Sequence, residues 1–147
     1  MKYSIYTLLV VALLLSACAP KADTPTSSET PSIPEPSDYA PHPSDDKLTR
    51  TPVYVDSTDL LTLESFPLQF TLSMKGNLPT PCNQLRVAVA RPDRDNRIEV
   101  EVYSVVGSNT ICAEMLQPFE VNVPLGSFPA GHYTLLVNDK QVAKFVT

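Results

Sequence analysis

Residues 97–103 read RIEVEVY, and residues 68–75 read LQFTLSMK. In the first, Ile98, Val100 and Val102 alternate with Glu99, Glu101 and Tyr103. In the second, Leu68, Phe70, Leu72 and Met74 alternate with Gln69, Thr71, Ser73 and Lys75. Successive strand side chains point to opposite faces, so this period of two marks one dry face and one wet face. Leu85, Val87 and Val89 repeat it around Arg86 and Ala88, as do Phe119, Val121 and Val123 around Glu120 and Asn122. Further strands fit 53–63, 132–138 and 141–146, the last two joined by a tight turn at Asn138-Asp139-Lys140. With 66–75, 84–91, 97–106 and 119–125, that makes about seven short strands and no convincing helical segment. The pattern predicts an all-β protein, an antiparallel β-sandwich. Composition agrees, because 15 prolines, 4 glycines and no tryptophan suit extended segments better than helices.

The chain before the strands is different in kind. From Ala19 to Arg50 there are seven prolines in 32 residues, and Ser, Thr, Asp and Glu fill most of the rest. Ile33, Tyr39 and Leu48 are its large apolar residues. Such a segment buries too little surface to offset its conformational entropy, so a disordered linker is expected. Extended as polyproline II at ~3.1 Å per residue it reaches about 100 Å, whereas a flexible coil averages nearer ~30 Å. A spacer is the expected role, with His42 in solvent. A polyproline ligand is the rival, but Pro31, Pro34 and Pro36 sit in no basic context. The net charge of −5 divides into three basic and six acidic residues over 19–50, and seven and ten over 51–147. Neither part has the clustered Lys and Arg of a phosphate-backbone binder, so nucleic acid is not an expected partner.

At the N-terminus Lys2 precedes an apolar run from Ile5 to Leu15. Eleven helical residues rise about 16 Å, roughly half of the ~30 Å hydrocarbon core, which is too short for a permanent span. The stretch Leu15-Ser16-Ala17-Cys18 resembles the lipobox of bacterial lipoproteins. That resemblance implies removal of residues 1–17 as a signal peptide, diacylglycerol on the Cys18 thiol and a further acyl chain such as palmitate on its amine. The bland reading is a plain secretory signal cleaved near Ala17 or Ala19. Two or three acyl chains anchor a protein durably where one holds only marginally. Ala19 is not the aspartate that favours inner-membrane retention in similar enterobacterial lipoproteins. The expected location is therefore the outer membrane, or the outer face of the cytoplasmic membrane, of a bacterium.

Cys18 assigned to lipid leaves Cys82 and Cys112 to pair in an oxidising compartment. They enclose about 30 residues, and the chain-entropy model gives such a bridge roughly 3.5–4 kcal/mol. If successive strands reverse direction, both cysteines lie in loops at one pole, and the bond ties those loops together. The first strand begins at that pole, so a straight stalk is expected to point it at the membrane. Gly131-His132-Tyr133, entering a strand, resembles the tyrosine corner of immunoglobulin-like domains, with Tyr133 as the matching residue. Residues 58–147 are also similar to a group of uncharacterised bacterial lipoproteins. The shared features are Gly76-Asn77-Leu78-Pro79 before Cys82, a second cysteine, and Ala130-Gly131-His132-Tyr133. That resemblance implies an immunoglobulin-like sandwich over 51–147 and brings no activity and no site residues.

Catalysis needs a nucleophile, a base and a group to orient the base. The strand region offers one histidine, His132, and no nucleophile-elbow serine. No enzyme, cofactor or metal is expected. Asp93, Asp95 and Asn96 offer oxygen ligands, but Arg91, Arg94 and Arg97 interleave with them, so a solvated hairpin is the reading. The disulfide-tied loops carry Leu78 and Pro79 on one side and Ile111, Met115 and Leu116 on the other. Ile111 and Leu116 either plug the open end of the sandwich, or this pole is a rigid binding surface made by Leu78, Pro79, Met115 and Leu116. The expected function is a monomeric, lipid-anchored, non-enzymatic module that binds a protein or envelope polymer. Alternatives are an inhibitor of an extracellular hydrolase acting through the tied loops, and a structural subunit that pairs through a sheet edge. The Gly-rich and Arg-Pro-aromatic loops of chagasin-like inhibitors are absent.

Overall fold

The computed structural model describes residues 38–147. The expected signal peptide, Cys18 and the first part of the expected linker lie outside the described residues. Eight strands follow a short 3-10 turn at Pro43–Lys47. They are β1 (Thr49–Thr51), β2 (Tyr54–Leu63), β3 (Gln69–Leu78), β4 (Gln84–Val89), β5 (Arg97–Val106), β6 (Gln117–Gly126), β7 (His132–Val137) and β8 (Lys140–Val146). Strands β2, β3 and β6 form a three-stranded sheet, and β1, β4, β5, β7 and β8 a five-stranded one. The expected sandwich is the observed fold, with every expected strand present and β1 added. One pair is not antiparallel: β7 runs parallel to β5, with Ile98 opposite Leu135 and Val100 opposite Val137.

The period-two residues meet between the sheets. Leu85, Val87, Ile98, Val100, Val102, Leu135 and Val137 face Phe70, Leu72, Met74, Val121, Val123 and Leu125 in one buried cluster. One end is sealed by aromatic rings: Phe70 and Phe145 lie 4.5 Å apart at their centroids, and Phe128 and Tyr133 5.1 Å. Two glycines serve local geometry. A Cβ on Gly76 would sit 2.2 Å from the Tyr54 carbonyl oxygen and 2.8 Å from the Phe119 ring, so the close approach of β2 to β3 requires its absence. Gly126, at φ 83°, takes a left-handed conformation where the β3–β6 register shifts.

The open edge of β5 is completed in three pieces. β7 pairs with its first half, and β1 pairs antiparallel with Ser104, Val105 and Val106. Between them the Asn138 amide accepts from Val102 N–H at 2.7 Å and donates to Val102 C=O at 2.9 Å. Asn138 (φ 48°) and Asp139 (φ 65°) form the expected tight turn, with the paired positive φ values of a type I′ hairpin.

The linker boundary expected at residue 50 falls inside the folded domain. Tyr39 packs against the core, and its carbonyl accepts from Val87 N–H at 2.7 Å, on the edge of β4 away from β5. Asp45 then forms a two-pronged ion pair with Arg86, at 2.8 Å to Nε and 2.9 Å to Nη2. The two side chains are 11% and 8% exposed. Arg86 sits on the outer face by alternation, and the segment carrying Asp45 crosses that face and removes it from water. Residues 39–48 are thus a strap over the five-stranded sheet, and the Asp45–Arg86 pair and Tyr39 explain why proline-rich chain is held there. The strap enters beside Val87, midway along β4, so the expected straight stalk at the disulfide-tied pole is not what the fold provides.

Candidate functional site: the disulfide-tied pole

The β3–β4 loop and the β5–β6 loop meet at one end of the sandwich, where Cys82 and Cys112 are joined with their Cα atoms 6.0 Å apart. Below the bond lies a polar network built from short side chains. Thr80 Oγ1 donates to Asn83 Oδ1 at 2.7 Å, and Asn83 Nδ2 donates to Thr51 Oγ1 at 2.8 Å and to Ser104 Oγ at 3.0 Å. Asn83 and Ser104 are buried, and their satisfied bonds fix the loop bases to β1 and β5. Ser104 occupies an inward position of β5, and its register partner Thr51 meets it on β1. Cys82 N–H also points at Cys112 Sγ, 3.1 Å away. In the β5–β6 loop, Thr110 N–H donates to Gly107 C=O at 3.1 Å and Met115 N–H to Ala113 C=O at 3.0 Å.

The apolar residues of the β5–β6 loop project outward from this base. Ile111 is 99% exposed, Met115 60% and Leu116 52%. The plug reading of Ile111 and Leu116 therefore does not describe their placement. Of the four surface candidates, Met115 and Leu116 are exposed and Pro79 is half-buried. Leu78 is not on the surface. It is 7% exposed and belongs to the core cluster, because β3 keeps its phase through Gly76: Phe70, Leu72, Met74, Gly76 and Leu78 all face inward. Ile111 belongs in its place. A recess of about 380 Å³ opens beside the loops, lined by Thr80, Asn83, Gly107, Ser108, Cys112 and Glu114 among others.

Residues 72–147 match the family model of the ORF11 beta-sandwich domain. The chain belongs to that family. No curated protein and no solved structure matches the chain. The matched part of the ORF11 domain begins inside β3 and runs to Thr147. It thus includes both cysteines and the whole β5–β6 loop; the strap, β1 and β2 precede it.

The other sequence candidates have structural placements. In the ORF11 domain Tyr133 Oη donates to Pro129 C=O at 3.0 Å, the bond a tyrosine corner makes. Asp93 organises the β4–β5 turn: its Oδ1 accepts from Asp95 N–H and Arg97 N–H, both at 2.9 Å, and Arg97 Nε lies 3.5 Å from Oδ2. The Arg97 N–H bond is the main reason the Asp93 carboxyl titrates below its ordinary value. Those bonds occupy the carboxylate within its own turn. His132 is exposed at the start of β7, and His42 precedes the 3-10 turn. Among the described residues no group of three or more His, Cys, Asp or Glu side chains is gathered in metal-binding reach. Sequence reasoning missed Arg86–Asp45, although an arginine between two inward aliphatics was a signal to look for a carboxylate. It also missed Arg50, whose guanidinium lies 3.6 Å from the Tyr103 ring centroid and pairs with Glu101.

Proposed function

We propose that this protein is an exported, lipid-anchored interaction module without enzymatic activity, which binds a protein or polymer of the cell envelope through its β5–β6 loop. The supporting observation is the exposure of Ile111, Met115 and Leu116 on a loop whose base is held by the Cys82–Cys112 bond and the Asn83 network. Contiguous exposed apolar side chains mark contact surfaces, and a loop rigid before binding loses less entropy when bound. The anchor half of the reading rests on the lipobox at Leu15-Ser16-Ala17-Cys18.

Pairing through the β4 or β6 edge has less support than the loop. β6 carries Pro118 and Pro124, which donate no backbone hydrogen bond, and β4 already receives Tyr39 on its edge. A photoreactive amino acid at position 111 of the full-length protein in intact cells tests the loop. A discrete adduct is expected that disappears in a Met115→Asp background. Adducts as frequent from a photoreactive group at the exposed Val146 would contradict a loop-specific surface. Leu78→Asp is unsuitable for this purpose, since it puts a charge in the core. If the adduct proves to be a hydrolase that the bound domain slows, the inhibitor reading replaces the present one.

A further inference from the structure

The pole opposite the disulfide has its own apolar tip. The β2–β3 connection carries Phe66, fully exposed, and Leu68, with Leu61 and Leu63 exposed on the adjoining strand. Leu61 and Leu63 are out of phase with Leu60, which packs on the core, so they lie on the outer face of the three-stranded sheet. The strand directions place the β4–β5 turn at this same pole, with Arg91, Arg94 and Asp95 exposed and Asp93 engaged by its own turn and by Arg97. Monomeric domains seldom leave a leucine and phenylalanine cluster in water without a surface to cover it.

The start of the described chain indicates which surface. Ala40 and Pro41 line a cleft of about 680 Å³ together with Arg91, Pro92, Phe128 and Pro129. The chain therefore joins the domain on the half that faces the apolar tip, and the strap climbs from there to Thr49 beside Val106. Nineteen residues lie between Cys18 and Asp38. Even fully extended they span at most about 70 Å. A bilayer holding Cys18 is then always close, and a modest apolar tip suffices at such effective concentration.

We infer that the β2–β3 tip is a bilayer-contacting surface, with Phe66, Leu63 and Leu68 entering the headgroup–acyl boundary and Arg91 and Arg94 meeting lipid phosphates. Aromatic and leucine side chains suit that boundary, and arginine suits the anionic headgroups. The disulfide-tied pole then faces away from the membrane. This inference rests on the anchor reading, but its test supplies the anchor chemically.

The chain contains no tryptophan, and with Cys82 and Cys112 paired a maleimide is directed to Cys18. Residues 18–147 are coupled through the Cys18 thiol to maleimide-headgroup lipid in vesicles of phosphatidylethanolamine and phosphatidylglycerol bearing brominated acyl chains. Two variants are compared, Phe66→Trp and Ile111→Trp, each at an exposed position that leaves the core intact. Bromine quenching of at least twofold and a blue shift are expected in Phe66→Trp, with neither in Ile111→Trp. Adding Arg91→Ser and Arg94→Ser to Phe66→Trp lowers the quenching; unchanged quenching overturns the role given to the arginines. Absent quenching in Phe66→Trp, or equal quenching in both variants, overturns the inference. A failure of lipidation in cells appears separately, as unmodified Cys18 in the mass of the native protein.

Discussion

Replacing Asn138 by glycine keeps the left-handed turn conformation and removes only the amide that serves Val102 N–H and C=O. Leaving such backbone groups unpaired costs about 1–3 kcal/mol, and urea denaturation of Asn138→Gly should show a loss in that range. No change would mean that water replaces the amide. Tyr133→Phe removes a single bond, to Pro129 C=O, and should cost about 1 kcal/mol in the same assay. These two residues differ in how far the sequence announces them. Tyr133 stands in a Gly-x-Tyr frame before a strand, a local signal. The Asn-Asp pair announces the turn, but its bond to β5 depends on β1 and β7 meeting along one edge, and no local pattern carries that.

Among the elements, the strands of the core were legible because alternation is a property of adjacent residues. Ile98, Val100 and Val102 declare their face without reference to any partner. The alternation carries β3 only to Lys75, whereas the strand runs to Leu78, because the close packing of Gly76 against Tyr54 and Phe119 is a tertiary fact. The strap was illegible for a related reason: Asp45 reads as a solvated charge until Arg86 is found 41 residues away. The hydrogen bond from the Arg86 side chain, helped by the His42 backbone N–H, holds the Asp45 carboxyl at about 2, below its ordinary 3.8. A carboxyl lowered in the folded state gives stability that is complete above its unfolded value and is lost as pH falls through the folded one. The strap should therefore loosen between about pH 4 and pH 2. The protection of Val87 N–H, which Tyr39 covers, measured against the intrinsic exchange rate at each pH, should fall over that window in the native protein. In Asp45→Asn that protection should already be low at pH 6; equal protection in both proteins would mean the strap is held by Tyr39 alone.

For the molecule as a whole, two of the three cysteines form a staple. Cys82 and Cys112 close a loop of 30 residues at one pole, and reduction should lower stability by about 3.5–4 kcal/mol while leaving the β-sheet circular dichroism at low temperature. Cys18 stands outside the described residues, and its proposed lipid turns a small ORF11 sandwich into a tethered one. Its most direct test is the intact mass of the protein purified from cell envelopes, followed by mapping of its thiols. The account predicts a chain that begins at Cys18, carries diacylglycerol and at least one further acyl chain where the host adds it, and holds Cys82 and Cys112 as a disulfide. A chain cleaved elsewhere with an unmodified Cys18 thiol, or one with both Cys82 and Cys112 free, would contradict it.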